Sequence, residues 1–523
     1  MPTLFSERSV LPYHLTFLNN ATMINLRHIK YFLLVCVLVV SASCKDVFED
    51  IDVKNENQPQ TSDLKDQYFA QVKNAYGAWY NASIAASPAI GFANAEVITA
   101  ATPSWGSGPM WFRPREPLFN GQTPDPVIII NFGAWYNYYA GIPVATNVLR
   151  SLQDPEFKVI VNKKDYTKRI QAHGYLLQAM LYGNIALLYD KAYLYTEDSG
   201  SAEDFDYQAN TKNYKELIAF SLDRIDKALA ILEQDIDDPD PEEVMPGVTF
   251  TKAGLIEFAN SMGARLLACS PRTPAEANAI DWQRVKRYAE KGLKRDFRVR
   301  YDEGWRGKVI SRDNGMNHFA LFNYDWIRVN QRVINMMAPE DPAAKFPWPE
   351  GTTALGPVTN SPDARLNKYF RYSDINKWFG QGRVSRPGYG WFILSEYKYV
   401  RYENVVLTNQ GLVDHFLQAE NDTYLAEAKI RLGEGGAAEL INRSRVGLGN
   451  LPAASDSDPD LLEKLFYERY VESDLVWLNL GFYDKRRRGE LMPGTAYHFP
   501  IPADELLQHG QAVYTFGGVG KEM

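Results

Sequence analysis

The chain is poor in cysteine, with three in 523 residues, and poor in histidine, with seven. Cys36 lies inside an apolar run near the start, Cys44 closes that run, and Cys269 stands alone, so the chain beyond Cys44 has no partner thiol for a disulfide. Leu266, Leu267 and Ala268 precede Cys269, and Ser270-Pro271 follows it as a helix stop. This describes a buried, inert thiol, because a reactive one needs a nearby histidine or a helix N-terminus. Beyond Cys44 the histidines are His173, His318, His415, His498 and His509, and none stands at metal-ligand spacing from another. His173 reads as a satisfied core residue in a packed helix. The chain also lacks His-Glu-x-x-His, Gly-x-Ser-x-Gly, a Walker loop and the Rossmann glycines, so neither a metal ion nor another cofactor is expected. Positive charge is not in excess: the net charge is −8, which excludes the basic footprint of a nucleic-acid partner. No apolar run is long enough to span a bilayer as a helix.

Within those bounds the composition is that of a globular protein, 45% hydrophobic and 23% charged. Near the start, Arg27 and Lys30 precede the apolar run Tyr31–Val40, which ends in the small residues Ser41, Ala42 and Ser43. A charged start, a short apolar stretch and a small-residue end make a secretory signal, residues 1–43. Its natural start is Met23, because Met1–Thr22 would bury the signal inside the chain. Cys44 directly after the small residues resembles the lipobox of bacterial lipoproteins, although Ser41 stands where leucine is commoner. The resemblance implies diacylation of the Cys44 thiol and a membrane anchor of two or three acyl chains. Residues 44–62 are a polar, acidic tether. Lys45-Asp46 and Glu49-Asp50 resemble the signal that sends lipoproteins to the outer face in Bacteroidetes.

Residues 63–297 carry helical periodicity. Helices are expected over Leu64–Ser83, Asn131–Leu152, Asp165–Tyr189, Tyr214–Gln234, Thr251–Ala268 and Asp281–Lys294, the last with Asp281 as N-cap. Ala172, Ala179, Gly183 and Ala186 form a narrow small-residue face on one of them, which lets a second helix come close; Tyr214–Gln234 is the candidate. The architecture resembles tetratricopeptide-type helix pairs. The periodicity fades over residues 298–415, where Gly, Pro and aromatic residues rise, and helices return over 416–523 before the extended tail Tyr497–Pro502. The fold class read from the sequence is mostly α, a helix-pair scaffold with a loop-rich, aromatic-rich region packed on it.

The aromatic content is high, with 31 Tyr, 26 Phe and 11 Trp, and several tryptophans sit among Gly and Pro, where a helix is excluded. A pyranose ring packs its C–H face on such a flat side chain, and neighbouring Asn, Arg and Asp bond its hydroxyls. Trp105, Trp111 and Arg113 on a loop near 99–125, with Trp305, Tyr324 and Trp326, are the ligand-binding candidates. Glu468 and Glu472 lie one turn apart near Arg486–Arg488; structural ion pairs with lowered carboxyl pKa values are expected there, rather than a glycosidase pair across a pocket.

Leu425-Ala-Glu-Ala-Lys-Ile-Arg-Leu-Gly433 with Asn442 and Arg445, Phe466-Tyr-Glu-Arg469 with Glu472, Asp484-Lys-Arg-Arg-Arg-Gly489, and Phe499-Pro-Ile-Pro502 with Glu505 resemble the helix-pair, Glu-Arg-x-x-Glu, Asp-Leu-x-Arg-x-Gly and terminal Pro-Ile-Pro elements of the SusD/RagB family. Val476-Trp-Leu-Asn-Leu-Gly481 departs from the family's Glu-Gly-x-Arg, and Tyr189-Asp-Lys-Ala-Tyr193 from its Tyr-Gly-x-x-Pro. The resemblance implies a SusD-like, non-enzymatic lipoprotein on the outer membrane, facing the cell exterior. It would bind an oligosaccharide or polysaccharide nutrient and pass it to a partner SusC-like TonB-dependent barrel. The alternatives are the same scaffold binding peptides or another nutrient, a surface glycosidase, and a structural assembly lipoprotein.

Overall fold

Runs of apolar residues at helical spacing, several opened by a capping side chain, set the architecture of the computed structural model. It describes residues 61–85, 96–100, 128–200, 205–234, 240–301, 327–338, 360–373, 395–408, 410–476 and 480–515, all within one compact unit, Thr61–Met523. Cys44 and its tether lie outside them.

The first half is a stack of helices: α1 (Thr61–Ala85), α2 (Ile128–Ser151), α3 (Thr167–Leu188), α4 (Tyr214–Leu232), α5 (Lys252–Cys269), α6 (Pro274–Ala279) and α7 (Trp282–Glu290). Each long helix packs on the next: α1 on α2, α2 on α3, α3 on α4, α4 on α5 and α5 on α7. The starts are written in the sequence. Asn213 and Glu216 close a capping box on α4, Thr251 caps α5, and the Asp281 side chain accepts from the Arg284 amide at the head of α7. That last helix ends at Glu290, short of the expected Lys294, because the chain turns at Lys291-Gly292.

The helix expected to approach α3, α4, does pack on it, and the small-residue face also serves a second neighbour. Gly183 faces α5, where an added Cβ would meet Leu266 at 2.5 Å. Gly263 of α5 in turn lies under the Tyr288 ring of α7. Where helices cross this closely the backbone itself is the packing surface. At its C-terminal end α3 is buried, yet its free carbonyls are filled from far along the chain. Arg272 Nη2 donates to Ala186 and Tyr189, Arg486 Nη1 to Leu187, and the Phe499 amide to Leu188. The extended tail Tyr497–Pro502 therefore lies along this helix end, with Tyr189 and Phe499 in a parallel bridge.

The second half adds α8 (Gln331–Met336), α9 (Arg365–Tyr369), α10 (Glu403–Thr408), α11 (Gln418–Arg431), α12 (Ala437–Arg445), α13 (Leu461–Glu472), α14 (Leu480–Arg488) and α15 (Ala503–Gln508). α11 packs on α5, α7, α12 and α13, joining the two halves. Strands form six two-stranded antiparallel pairs among the described residues. They are β1 (Ile98–Ala100), β2 (Ile160–Val161), β3 (Lys164–Asp165), β4 (Lys191–Tyr193), β5 (Thr211–Asn213), β6 (Glu242–Met245), β7 (Val248–Phe250), β8 (Phe297–Tyr301), β9 (Ile327–Val329), β10 (Phe370–Tyr372), β11 (Tyr397–Tyr399) and β12 (Gly411–Phe416), with β1 paired to β9 and β8 to β12. The β6–β7 hairpin supplies Glu242 to the interior. There His173 is a satisfied core residue, bonded to the Tyr76 hydroxyl at 2.9 Å and to Glu242 at 2.7 Å. Cys269 is buried, and burial pushes its thiol up to about 12. No helix among the described residues is long and apolar enough to cross a membrane.

Candidate functional site

The six residues singled out as ligand candidates, Trp105, Trp111, Arg113, Trp305, Tyr324 and Trp326, lie outside the described residues. The described strands do fix where their segments attach. Ala100 of β1 stands opposite Ile327 of β9, so segment 101–127 begins and segment 302–326 ends at one end of the same ladder. That ladder is well held. The Asn330 amide donates to Val97 at 2.9 Å, and Arg332 Nη1 donates to the Glu96 carboxylate at 2.8 Å. Segment 302–326 leaves from Tyr301, paired with Gly411 at the end of the β8–β12 ladder.

The described residues themselves enclose a cleft of about 840 Å³ between the β8–β12 ladder, α9, α10, the start of α11 and the end of α12. Its floor is built around Arg401. The guanidinium lies 4.6 Å from the Tyr369 ring centroid and 5.9 Å from that of Tyr402, and Nη1 donates to Glu472 Oε1 at 2.9 Å. Tyr402 donates to Asp414 Oδ2 at 2.7 Å and Tyr369 to Glu472 Oε1 at 3.1 Å. Burial raises both phenols above their ordinary range, so they remain hydroxyl donors. On one wall Arg298 Nε donates to Asp414 at 2.6 Å and Nη2 to Asp296 at 2.7 Å. On the other, Arg443 Nη1 spans both oxygens of Asp422 at 3.1 Å. Burial raises the Asp422 carboxyl, and the Arg443 charge opposes it. Lys368, Asn404 and Gln418 line the rim with no side-chain hydrogen bond or ion pair among the described residues. A second opening of about 520 Å³ lies over α1, between Asn74, Gly77, Asn81, Asn137 and the β6–β7 hairpin, and has no aromatic lining.

The motif residues of the C-terminal third build a different feature. Glu427 of α11, Arg469 of α13 and Asp484 and Arg487 of α14 form one buried cluster. Arg487 clasps Glu427 with two bonds of 2.8 and 2.7 Å and donates Nε to Asp484 at 2.8 Å. Arg469 Nη1 donates to Asp484 at 3.0 Å and to Glu427 at 3.2 Å. Burial alone would raise the Glu427 carboxyl, but Arg487 and Arg469 hold it well below the usual carboxylate range.

Glu468 and Glu472 are indeed structural, but two parts of that expectation are corrected. Their partners are not Arg486–Arg488. Arg365 Nη1 donates to Glu468 at 2.7 Å, and Arg401 serves Glu472. Adjacent residues on a helix point about 100° apart, so Arg469 turns to the α14 cluster while Glu468 turns away from it. The Glu468 carboxyl is also raised, not lowered, because full burial outweighs Arg365. Of the three arginines, Arg487 joins Glu427, Arg486 bonds backbone carbonyls, and Arg488 pairs with Glu463 and Glu490. The cleft residues Tyr369, Arg401, Tyr402 and Asp414 had not been singled out. Their signal was the Tyr399-Val-Arg-Tyr402 run, which has no spacing that marks a site. Among the described residues no group of three or more His, Cys, Asp or Glu is placed to hold a metal ion.

Comparison with solved structures identifies the architecture. A SusD superfamily protein from Bacteroides vulgatus is 13% identical, with a TM-score of 0.54 over 85% of this chain and 97% of its own. Another from Bacteroides thetaiotaomicron is 12% identical, with a TM-score of 0.59 over 86% and 99%. A laminarin-binding SusD-like protein is 14% identical, with a TM-score of 0.50 over 86% and 98%. No protein-family model and no curated protein matches the sequence. The chain therefore has the SusD-like fold, a mostly α, tetratricopeptide-type scaffold, as the sequence predicts.

Proposed function

We propose that the protein is a cell-surface, non-enzymatic carbohydrate-binding lipoprotein. It is anchored through acylated Cys44 and delivers an oligosaccharide or polysaccharide to a SusC-like TonB-dependent outer-membrane barrel. The observation that carries this reading is the SusD-like fold along nearly the whole chain, and one protein of that fold is described as laminarin-binding. The shared root of segments 101–127 and 302–326 on the β1–β9 ladder supports Trp105, Trp111, Arg113, Tyr324 and Trp326 acting together, with Trp305 on the same second segment. The arginine-paired carboxylates of the cleft suit binding better than proton transfer, since their charges are committed.

Titration of the purified chain with a glycan array and a peptide panel tests the ligand class. Glycan binding that falls tenfold or more in Trp105→Ala and Trp326→Ala is expected, and selective peptide binding would redirect the reading. Shortened glycan products would make the protein a glycosidase. Label from a clickable palmitate on the wild type, absent in Cys44→Ala, tests the anchor, and co-purification of a barrel from outer membranes tests the partner.

A further inference from the structure

We propose that the 840 Å³ cleft is a second carbohydrate site, built from residues other than the six loop candidates, which takes a short, neutral sugar chain. The proposal rests on the carbohydrate reading above and adds a place and a ligand class to it. The volume lies within the range of small-molecule pockets, about 300–1,000 Å³. The charges of the lining decide the class. Arg298, Arg401 and Arg443 are each bonded to a carboxylate, and with Lys368 they match Asp296, Asp414, Asp422 and Glu472 one for one. A cation would have to compete with an arginine for a carboxylate, and an anion would find only the rim cation Lys368 outside these pairs while facing four carboxylates. A hydroxyl group both donates and accepts, so it bonds the free edge of an arginine or a carboxylate without breaking a pair.

Between the charges the lining is apolar, with Val400, Leu412 and Leu448 among its members, which suits the C–H faces of a sugar ring. The floor is fixed before any ligand arrives, because Arg401 is held against two tyrosine rings and bonded to Glu472, so little ordering is needed on binding. Lys368, Asn404 and Gln418 then supply donors and acceptors that no side-chain bond among the described residues occupies.

Calorimetric titration of the full chain with maltotriose, laminaritriose and mannotriose, and with trigalacturonate as the charged counterpart, tests this. The exposed Asn404→Trp fills the cleft, Gln418→Ala removes one rim group with less demand on folding, and Trp105→Ala/Trp326→Ala disables the loops. The expected result is a neutral trisaccharide whose binding weakens tenfold or more in Asn404→Trp and about threefold in Gln418→Ala, and which survives in the loop variant. Binding that the loop variant abolishes and both cleft variants leave intact overturns the cleft site and keeps the carbohydrate reading. A preference for trigalacturonate that Gln418→Ala weakens overturns the neutral class. A wild-type chain that binds none of the neutral sugars overturns the proposal, and the carbohydrate reading falls with it only if the glycan array also shows no binding.

Discussion

The contact of α3 with α4 and α5 is apolar, whereas that of α11 with α13 and α14 is ionic. In the first, Leu222, Ile225 and Leu266 are buried, and Gly183 lets the helices close. In the second, Glu427 and Arg469 are fully buried, Arg487 is almost fully so, and they share their bonds with Asp484. The difference explains why the C-terminal third carries recognisable motifs and the helix stack does not. Many combinations of apolar residues fill the same volume. A buried ion cluster admits few substitutes, because removing one member leaves a charge without a partner.

Breaking the ionic side should have the largest effect. Arg469→Met leaves Asp484 and Glu427 with one fewer cation, and a loss of about 3–5 kcal/mol is expected in urea unfolding at neutral pH. A loss below 1 kcal/mol would mean that the cluster is not a structural centre.

Acid should act next, at the tail rather than in the cluster. Burial lowers the His498 imidazole to about 4 despite nearby Asp190, against about 6.5 when unfolded. The folded form therefore binds its proton less readily than the unfolded one. The contribution is complete above pH 6.5 and is lost as pH falls from there towards 4, by up to about 3 kcal/mol. Unfolding free energies at pH 7 and 4.5 should differ more in the wild type than in His498→Gln; equal differences would remove His498 from the account.

On the apolar side, Gly183→Val drives side-chain atoms into Leu266, and overpacking of this kind costs about 1–3 kcal/mol. The paired change Gly183→Val/Leu266→Ala should recover part of it, and no recovery would show that the strain lies elsewhere. The smallest effect should come from Asn213→Ala, which removes the α4 cap and about 1 kcal/mol, visible as a small shift in the unfolding midpoint.

The helix stack was legible because its information is local. Period, caps and stops mark α1–α5 to within a few residues, and Asp281 and Cys269 stand where their neighbours imply. The partners across space were less so. Nothing in the spacing of Arg486, Arg487 and Arg488 tells that one meets carbonyls, one meets a glutamate 60 positions earlier and one lies near the surface. The same holds for the cleft: Arg401 and Asp414 are ordinary in the sequence and come together only through α9, α10 and β12. Tryptophans among glycines and prolines were visible at once, yet they lie outside the described residues.

The ending of α3 also sets an order of events. Its last carbonyls take donors from Arg272, 86 positions beyond Ala186, and from Arg486, 299 positions beyond Leu187. A nascent chain that has emerged only as far as the helix stack thus holds a solvent-hungry helix end with nothing to close it. Final consolidation waits for the last segment to arrive.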